Sequence, residues 1–236
     1  MRKLQIYIMK KKLILFGNGE IGQMAHYYFT HDSEYEVIAF SADDNFVKDD
    51  TFLGLPLIPF SELKEKYPSD KYFAHVSMSF SNLNQTRAEK YYQLKNAGYT
   101  LVSYVCSKSV TWPDLEIGDN CFILENQTIQ PTVRIGNNVM IWSGNHIGHR
   151  SSIGDHTYVS SHVCICGFVN IGKYCFLGVN SSIRDFSKIG DSVFVAMDAS
   201  IQKNINSGSV VLAEGGKIYP RDSRVATSVL KRFFKF

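Results

Sequence analysis

The chain has 236 residues, enough for one large domain or two small ones, each with a hydrophobic core. Lys and Arg outnumber Asp and Glu by only 25 to 22, which gives no indication of a nucleic-acid partner, and no run approaches the ~20 apolar residues of a membrane span. The five cysteines are odd in number and lack zinc-ligand spacing, which favours a reduced, cytoplasmic protein. Residues 1–9 precede a second plausible start at Met9 and are expected to be a loose extension.

Residues 10–106 alternate apolar runs with helical patterns, which predicts a small parallel sheet with helices. Helices are predicted after the first, third and fourth strands; Ser61 is the expected cap of the second helix, and Gly98 ends the third. The linker to the second half is expected between Cys106 and Asp114. The predicted strands are KKLILF, YEVIAF, LPLIPF, KYFAHVSM and TLVSYV.

A glycine-rich turn, GNGEIG from Gly17 to Gly22, follows the first strand and begins a helix. Its tight turn, bare N–H groups and helix N-terminus suit a phosphate group. With Asp43 and Asp44 about twenty residues further on, an NAD site is the generic interpretation. Against it, a domain of about 100 residues is too small for the usual two-half dinucleotide site. A purely structural strand–helix turn stays open as the alternative.

A six-residue repeat occupies residues 117–206. An Ile-Gly pair recurs every 18 residues from Ile117 to Ile189, and reading in sixes gives fifteen hexads without insertion. Every first position is Ile, Val or Leu, and the fifth is mostly small or β-branched, with Gln127, Asn145 and Ile205 as exceptions. This period predicts a parallel β-helix of about five coils with three flat faces. Residues 219–236 are the C-terminal tail, in which SRVATSVLKRFFKF is predicted to form a basic amphipathic helix that packs on this prism.

The register separates the histidines of the segment from Gly144 to His162. His146 is expected at a corner, and His156 and His162 are expected to be solvated on successive faces. No common metal site within one chain follows, although a metal shared between subunits stays an alternative. Residue i stacks on residue i+18, so Gly167 stands above His149. A base beside an exposed backbone N–H suits acyl transfer, whereas a surface histidine and a turn glycine are the alternative.

The hexads resemble those of the hexapeptide-repeat acyltransferases, whose β-helix is left-handed. A short Rossmann-like domain (10–106) followed by the prism (107–218) resembles the sialic acid O-acetyltransferase family. That family includes N-acetyltransferases of nucleotide-linked 4-amino-4,6-dideoxy sugars, such as the bacillosamine-pathway enzyme. The resemblance covers residues 10–217 and is most specific in NHIGHRSSIGDH and CGFVNIGKYCFLGVNSSIRDFSKIG. It implies a homotrimer, with acetyl-CoA in grooves between neighbouring prisms and no metal.

The resemblance also assigns residues to roles. His149 matches the family base and Gly167 the acetyl-binding amide, with His146 as a substitute base. Two positions depart from the family pattern, because Arg150 stands where an acidic residue usually follows the base, and Tyr158 replaces a second histidine. The implied coenzyme contacts are Gly167, Asn180, Ala196, Ala199 and Lys217. The implied contacts to a UDP-, dTDP- or GDP-linked amino sugar are Gly17, Gly19, Glu20, Asp43, Asp44, Asn84 and Arg87.

These observations predict an N-acetyltransferase that moves the acetyl group of acetyl-CoA directly to a sugar amine, for surface glycans such as lipopolysaccharide O-antigen. No cysteine has a basic partner in register, which disfavours an acyl-enzyme. The alternatives are a sialic acid O-acetyltransferase, a non-catalytic sugar-nucleotide-binding scaffold and a trimeric metalloenzyme. Outward-facing aromatic residues predict the trimer interface, unless the C-terminal tail covers them in a monomer. They are Trp142, Phe168, Tyr174, Phe176, Phe186 and Phe194.

Overall fold

The computed structural model describes residues 10–215 and 220–234, so the expected extension 1–9 and Lys217 lie outside the described residues. An α/β sheet is followed along the chain by a β-helix and a final helix, which confirms the predicted fold class. The elements of the α/β part are β1 (Lys11–Phe16), α1 (Glu20–His31), β2 (Tyr35–Ala42), β3 (Thr51–Phe52), β4 (Leu55–Pro59), α2 (Phe60–Lys66), β5 (Phe73–Val76), α3 (Gln85–Asn96) and β6 (Thr100–Leu101), with one 3-10 turn at Asp44–Phe46.

The six strands of this sheet lie in the order β3-β4-β2-β1-β5-β6. All neighbouring pairs are parallel except β3 and β4, which form an antiparallel hairpin. Strand β1 lies in the middle, with β2 on one side and β5 on the other. The loop from β1 to α1 therefore opens at the point where the strand order reverses, which is where parallel α/β sheets bind ligands.

The run TLVSYV, predicted as one strand, is divided between the two domains. Its first part is β6, whereas Tyr104–Val105 pairs with Phe122–Ile123 in the β-helix. The division falls at Ser103, whose hydroxyl donates to Gly118 O and accepts the N–H of Cys121. The prediction of a single strand is wrong. Both halves of the run TLVSYV are equally apolar, and the sequence pattern does not show that the second half pairs with a strand of the β-helix.

The β-helix is built from two-residue strands, each formed by the sixth residue of one hexad and the first of the next. Partners are 18 residues apart within the hexads, as in the pairing of His146 with Cys164. The strands form one seven-stranded and two five-stranded parallel sheets, and the former extends one strand beyond the hexads at each end. The strands are β7 (Tyr104–Val105), β8 (Glu116–Ile117), β9 (Phe122–Ile123), β10 (Thr128–Ile129), β11 (Arg134–Ile135), β12 (Met140–Ile141), β13 (His146–Ile147), β14 (Ser152–Ile153), β15 (Tyr158–Val159), β16 (Cys164–Ile165), β17 (Asn170–Ile171), β18 (Phe176–Leu177), β19 (Ser182–Ile183), β20 (Lys188–Ile189), β21 (Phe194–Val195), β22 (Ser200–Ile201) and β23 (Val210–Val211).

The hexad positions have distinct structural roles. Fourteen of the fifteen first-position side chains are buried in the prism core, and Ile117 at its start is half-buried. The fourth residue of every hexad from 117 to 200 adopts a left-handed backbone, which turns the chain at a corner. These fourth residues stack into three columns. We name them the His149 corner (Thr132, Arg150, Phe168, Phe186), the His156 corner (Asn120, Asn138, His156, Tyr174, Ser192) and the His162 corner (Asn126, Gly144, His162, Asn180, Asp198).

Two of the three exceptions to the fifth-position rule, Gln127 and Asn145, are buried amides one coil apart. Gln127 Oε1 accepts the N–H of Asn145, and Asn145 Oδ1 in turn accepts the N–H of Val163. Both side-chain NH₂ groups donate to the carbonyl of Trp142. The prism accepts these polar side chains because each one is hydrogen-bonded within the stack.

One hydrophobic cluster joins the two domains, with Phe29 of α1 packed against Phe122 of the prism. Trp142 and Phe176 are partly buried against this cluster, so they are less exposed than predicted, and their place in a trimer interface stays a prediction. Of the six predicted interface aromatics, Phe186 is the most exposed, at 70%, and its ring stacks on Phe168 with centroids 4.9 Å apart.

The final helix, α4 (Arg224–Phe234), is where the tail was predicted to be helical. The side chains of Arg224, Val225, Thr227 and Lys231 are exposed, so its packing on the prism stays a prediction. None of the helices within residues 10–215 and 220–234 is long and apolar enough to cross a membrane.

Candidate active site

His149 and Gly167 lie one above the other at the His149 corner, as the 18-residue spacing predicts. A Cβ atom added to Gly167 would lie 2.8 Å from Cε1 of the His149 imidazole, so a side chain at residue 167 would displace the ring. The imidazole is exposed, and its plane lies at 78° to the ring of Phe168, with the centroids 5.0 Å apart. Glycine is therefore required here by the neighbouring histidine.

The backbone N–H of Gly167, expected to be uncovered, donates to Asp185 Oδ1 at 2.9 Å. Asp185 is itself 18 residues beyond Gly167, and Lys173 and Asp191 make the same kind of bond between coils on another corner. The expectation of a bare amide is wrong because the side chain of the next coil covers it. An acyl oxygen can reach this N–H only by displacing the carboxylate.

Gln130 is a residue that the sequence analysis did not identify. Its side-chain Oε1 lies 2.8 Å from the backbone N of His149 and 3.0 Å from the Nδ1 of the same residue. The two residues are 19 apart, one more than the stacking distance, so the 18-residue repeat does not point to this pair. Gln130 is half-buried and belongs to the second position of its hexad, where Ile-Gly hexads carry glycine.

The guanidinium of Arg150 packs on the ring of Phe168. Its guanidinium carbon lies 5.5 Å from the centroid of the Phe168 ring, a cation–π arrangement. The backbone N–H of Arg150 donates to Thr132 Oγ1 at 3.2 Å. The side chain that replaces the family's acidic residue therefore interacts with the aromatic stack and makes no hydrogen bond to His149 within the described residues.

The remaining histidines of the segment are spread over different parts of the prism. His146 lies in strand β13, and its expected place at a corner is wrong. His162 is exposed at its own corner, as expected, whereas His156 is only 1% exposed. Within residues 10–215 and 220–234, no three His, Cys, Asp or Glu side chains converge to hold a metal ion.

His156 belongs to a chain of hydrogen bonds between the domains. Asn138 Nδ2 donates to His156 Nδ1, and the other ring nitrogen, Nε2, donates to the hydroxyl of Tyr92 on α3. Burial lowers the pKa of His156 to about 4, so the ring is neutral at pH 7. Tyr158 is also buried, with its ring stacked on Phe176 and a pKa raised to about 12. Neither side chain is available as a second base.

The glycine loop lines a cavity of about 310 Å³ at the sheet's switch point. Gly17 has a φ of +126°, and a Cβ there would lie 2.4 Å from Ser77 O, whereas a Cβ at Gly19 meets nothing within 4 Å. Gly19 is the N-cap of α1, so that helix begins at the cavity. The residues lining the cavity are Gly17, Asn18, Gly19, Glu20, Ile21, Phe46, Ser77, Met78 and Ser79.

The two aspartates after β2 already have partners in the chain. Asp43 forms a 2.6 Å ion pair with Lys90 of α3. Asp44 Oδ1 accepts the N–H of Ser61, in the first turn of α2, so Ser61 is not the cap of that helix as predicted. Neither aspartate lines the cavity of the glycine loop.

Asn84 and Arg87, expected to bind substrate, are buried between the domains. Arg87 Nη1 donates to Ser79 O, and Nη2 donates to His156 O on the prism. Asn84 Nδ2 donates to Cys175 O. The structure therefore gives both residues a structural role, and Arg87 fixes the backbone of Ser79 at the edge of the cavity.

The expected coenzyme contacts are only partly accessible. Asn180 is exposed and Ala196 half-buried, both near the His162 corner, whereas Ala199 is 1% exposed in the prism core. The assignment of Ala199 is wrong because it occupies the inward fifth position. Asn180 and His149 lie at different corners of one prism.

Comparisons with known proteins support the fold. Residues 132–167 match a family model described as bacterial transferase hexapeptide (six repeats). The second domain is a hexapeptide-repeat β-helix. The comparison with curated protein sequences gives no match.

Solved structures match the α/β domain and the hexapeptide-repeat β-helix together. The acetyltransferase domain of PglB from Neisseria gonorrhoeae FA1090, solved with acetyl coenzyme A, has a TM-score of 0.77 at 17% identity, covering 89% of this chain and 100% of that one. PerB from Caulobacter crescentus, solved with CoA and GDP-perosamine, has a TM-score of 0.76 at 17% identity, covering 86% and 97%. WeeI from Acinetobacter baumannii AYE has a TM-score of 0.54 at 17% identity, covering 88% and 99%. The predicted fold class, a Rossmann-like domain followed by a hexapeptide-repeat β-helix, is confirmed.

Proposed function

We propose that the protein transfers the acetyl group of acetyl-CoA to the amine of a nucleotide-linked amino sugar, with His149 as general base. The observation that carries this proposal is the His149 imidazole, which lies against the backbone of Gly167 at a corner of the prism. The same chain has a cavity lined by the glycine loop. Two proteins of the same fold support it, since one was solved with acetyl coenzyme A and the other with CoA and GDP-perosamine. A 4-amino-4,6-dideoxyhexose is the sugar that we favour.

The reaction is a direct transfer. The neutral amine attacks the thioester carbonyl carbon while His149 Nε2 takes a proton from the amine nitrogen. The tetrahedral intermediate collapses, the carbon–sulfur bond breaks, and the imidazolium returns the proton to the coenzyme A thiolate. The products are an acetamido sugar and free coenzyme A.

The Gly167 N–H is the proposed donor to the oxyanion of that intermediate. In the free protein this N–H is bonded to Asp185, a charge-assisted interaction. Binding of the acetyl group is therefore coupled to movement of the Asp185 side chain, which is exposed and free to rotate into solvent.

The glycine-loop cavity is the proposed site of the nucleotide diphosphate. The N-terminus of α1 and the backbone N–H groups of the loop attract anions. Ser77 lines the cavity, and its buried hydroxyl has no hydrogen-bond partner among the described residues, so it is proposed as a further donor for a phosphate oxygen. Glu20 also lines the cavity, and its carboxylate disfavours phosphate at that edge.

Each complete site is proposed to need two subunits of a homotrimer. Asn180 and Ala196 lie near the His162 corner, so a coenzyme that contacts them and His149 must lie between two prisms. The reaction is proposed to occur in the cytoplasm, in the biosynthesis of a surface glycan. The five cysteines are free thiols, consistent with a reducing compartment.

Coenzyme A release from acetyl-CoA, with UDP-, dTDP- and GDP-linked 4-amino sugars as acceptors, tests the function. Release with one amino sugar supports N-acetylation. Release only with sialic acid would instead indicate O-acetylation. Nucleotide-sugar binding without any release would indicate a binding scaffold.

A further inference from the structure

We infer that Gln130 is a positioning residue that fixes His149 as the tautomer protonated on Nδ1, leaving Nε2 as the free base. The catalytic consequence rests on the proposed function. The tautomer itself rests only on the hydrogen bonds around the ring, and it can be measured without any assay of transfer.

The hydrogen bonds of Gln130 determine which atom of its amide faces His149. The backbone N of His149 lies 2.8 Å from that atom, and a backbone N–H can only donate. The atom is therefore the carbonyl oxygen of the amide and not its NH₂ group, which settles the orientation of the side chain.

The same oxygen lies 3.0 Å from His149 Nδ1. Because an amide oxygen can only accept, Nδ1 must carry the proton in the neutral ring. Nε2 then has a free lone pair, as a general base requires. In the absence of such a partner, a neutral histidine side chain prefers the opposite tautomer, in which Nε2 is protonated and cannot accept a proton.

The other neighbours of the imidazole do not set its tautomer. Phe168 contacts it through an aromatic edge, and Gly167 presents backbone without a side chain. Asp185 is bonded to the Gly167 N–H, and Arg150 lies over Phe168. Within the described residues, Gln130 makes the only side-chain hydrogen bond to the His149 ring.

Gln130 thus orients the imidazole, a role that the family pattern gives to an acidic residue directly after the base. An amide orients the imidazole as a carboxylate does, but it adds no charge to stabilise the imidazolium that forms during transfer. Gln130→Glu keeps both acceptor bonds and adds that charge. Gln130→Leu removes both bonds while keeping a side chain of similar size.

Thr132→Ala is the matched control. Thr132 Oγ1 accepts the N–H of Arg150 on the same corner, so this variant loses a comparable bond between coils without touching His149. Any change that Gln130→Leu shares with Thr132→Ala reports the stability of the corner. A change confined to Gln130→Leu reports the imidazole.

The experiment is nitrogen-15 NMR of the full chain labelled on histidine, at a pH where the ring is neutral, with His149→Ala to assign the signals. We expect protonated Nδ1 and unprotonated Nε2 in the unmodified protein, in Thr132→Ala and in Gln130→Glu. In Gln130→Leu we expect protonated Nε2 to become the main form. Protonated Nε2 in the unmodified protein, or no change in Gln130→Leu, would overturn the inference.

In steady-state kinetics, Gln130→Leu should lower kcat by about 10- to 100-fold with the KM for acetyl-CoA retained, a usual scale for loss of an orienting partner. Gln130→Glu should keep or raise kcat. Equal kcat in Gln130→Leu and Thr132→Ala would contradict a positioning role. If no acceptor supports transfer while the NMR result holds, the proposed function fails and the tautomer assignment stands.

Discussion

At the scale of single residues, the absence of a Cβ atom at Gly167 allows the His149 ring to lie over the backbone there. A Cβ there would approach the ring to 2.8 Å, closer than real Cβ contacts. Gly167 needs no left-handed backbone, since it is not among the glycines with positive φ. The contact, and not conformational freedom, explains the glycine.

His149→Ala should lower kcat by about 10²–10⁴-fold, the usual loss when a general base is removed. The Kd for acetyl-CoA should change little, because the imidazole is exposed and, among the described residues, hydrogen-bonded only to Gln130. Steady-state kinetics and calorimetry measure the two quantities. His31→Ala is the matched control, since it removes an exposed histidine at the end of α1, away from both proposed ligand sites. Near-normal turnover in His149→Ala would remove this residue from the mechanism.

Much of this corner could be predicted from spacing, and some of it was overlooked. The 18-residue repeat places Gly167 on His149, and the same repeat places Asp185 on Gly167, a step that the sequence analysis did not take. Ala199 shows the opposite error, since its inward fifth position contradicts a coenzyme contact. Gln130 reaches His149 along a diagonal of 19 residues, which depends on side-chain conformation and is not encoded in the repeat.

At the scale of elements, the β1–α1 loop and the joint between α3 and the prism are the features that sequence alone distinguishes poorly. Gly17 and Gly22 are packed against backbone, where a Cβ would approach within 2.4 Å and 2.1 Å of a carbonyl oxygen. Gly19 faces open space. Three glycines that look alike in the motif therefore have two different roles, and only one can be substituted without disturbing the fold.

Gly19→Val should weaken the binding of UDP, dTDP or GDP by tenfold or more, because its side chain projects into the glycine-loop cavity. The backbone at Gly19, with φ −108° and ψ −165°, is extended and accepts valine. Calorimetry measures the nucleotide affinity, and an unchanged thermal midpoint checks the fold. Gly19→Ala should give a smaller loss, and acetyl-CoA should bind both variants normally. Unchanged nucleotide affinity in Gly19→Val would place the nucleotide elsewhere.

Two buried histidines near the contact between the domains predict a loss of stability in acid. His75 and His156 are both buried, and desolvation lowers the pKa of each to about 4 from a usual value of 6.5. Between these values the unfolded chain binds protons that the folded chain does not. The stabilisation that these two neutral rings contribute to the free energy of unfolding is therefore complete above about pH 6.5. It falls as the pH drops towards about 4, by up to ~1.4 kcal/mol per pH unit for each histidine.

His156→Gln should reduce that slope by about half, since one of the two buried histidines is removed. The Asp155 carboxylate beside His156 opposes the effect, whereas Arg87 and Lys173 reinforce it. Chemical denaturation across pH 4–7 measures the slope. His162→Gln, at an exposed position, should leave it unchanged. Equal slopes in the unmodified protein and in His156→Gln would contradict the assignment of a neutral buried ring.

The contact between α3 and the prism also contains two residues whose role the sequence did not predict. Asn84 and Arg87 were expected to bind substrate because they match a family motif near that ligand. Their side chains instead satisfy carbonyl groups of the second domain, as in the bond from Arg87 Nη2 to His156 O. Nothing in a linear pattern records how two domains dock, so a buried arginine and a binding arginine look the same in sequence.

At the scale of the whole molecule, the basis for the proposed trimer is the apolar surface of the prism that the first domain does not cover. Phe186 is 70% exposed on the corner that carries His149. Exposed apolar side chains beside a proposed site favour an interface there. The prism was predictable because each hexad repeats one local rule. Its assembly stays a prediction, and the repeat did not show that Trp142 and Phe176 are partly buried against the cluster that joins the two domains.

Light scattering at micromolar concentration should give three times the chain mass of 26.7 kDa. Phe186→Asp should reduce the mass towards one chain and lower activity with it, because each site needs two prisms. Tyr27→Ser, which changes an aromatic side chain 62% exposed on the first domain, should leave mass and activity unchanged. An active species with the mass of one chain would defeat the shared site.

The most direct test is mass spectrometry and NMR of the product formed from acetyl-CoA and each UDP-, dTDP- and GDP-linked 4-amino sugar. The predicted result is one acetyl group joined as an amide to the sugar nitrogen, formed with equimolar coenzyme A and strongly reduced in His149→Ala. An acetyl ester on oxygen, or no acetylated sugar with any acceptor, would contradict the account.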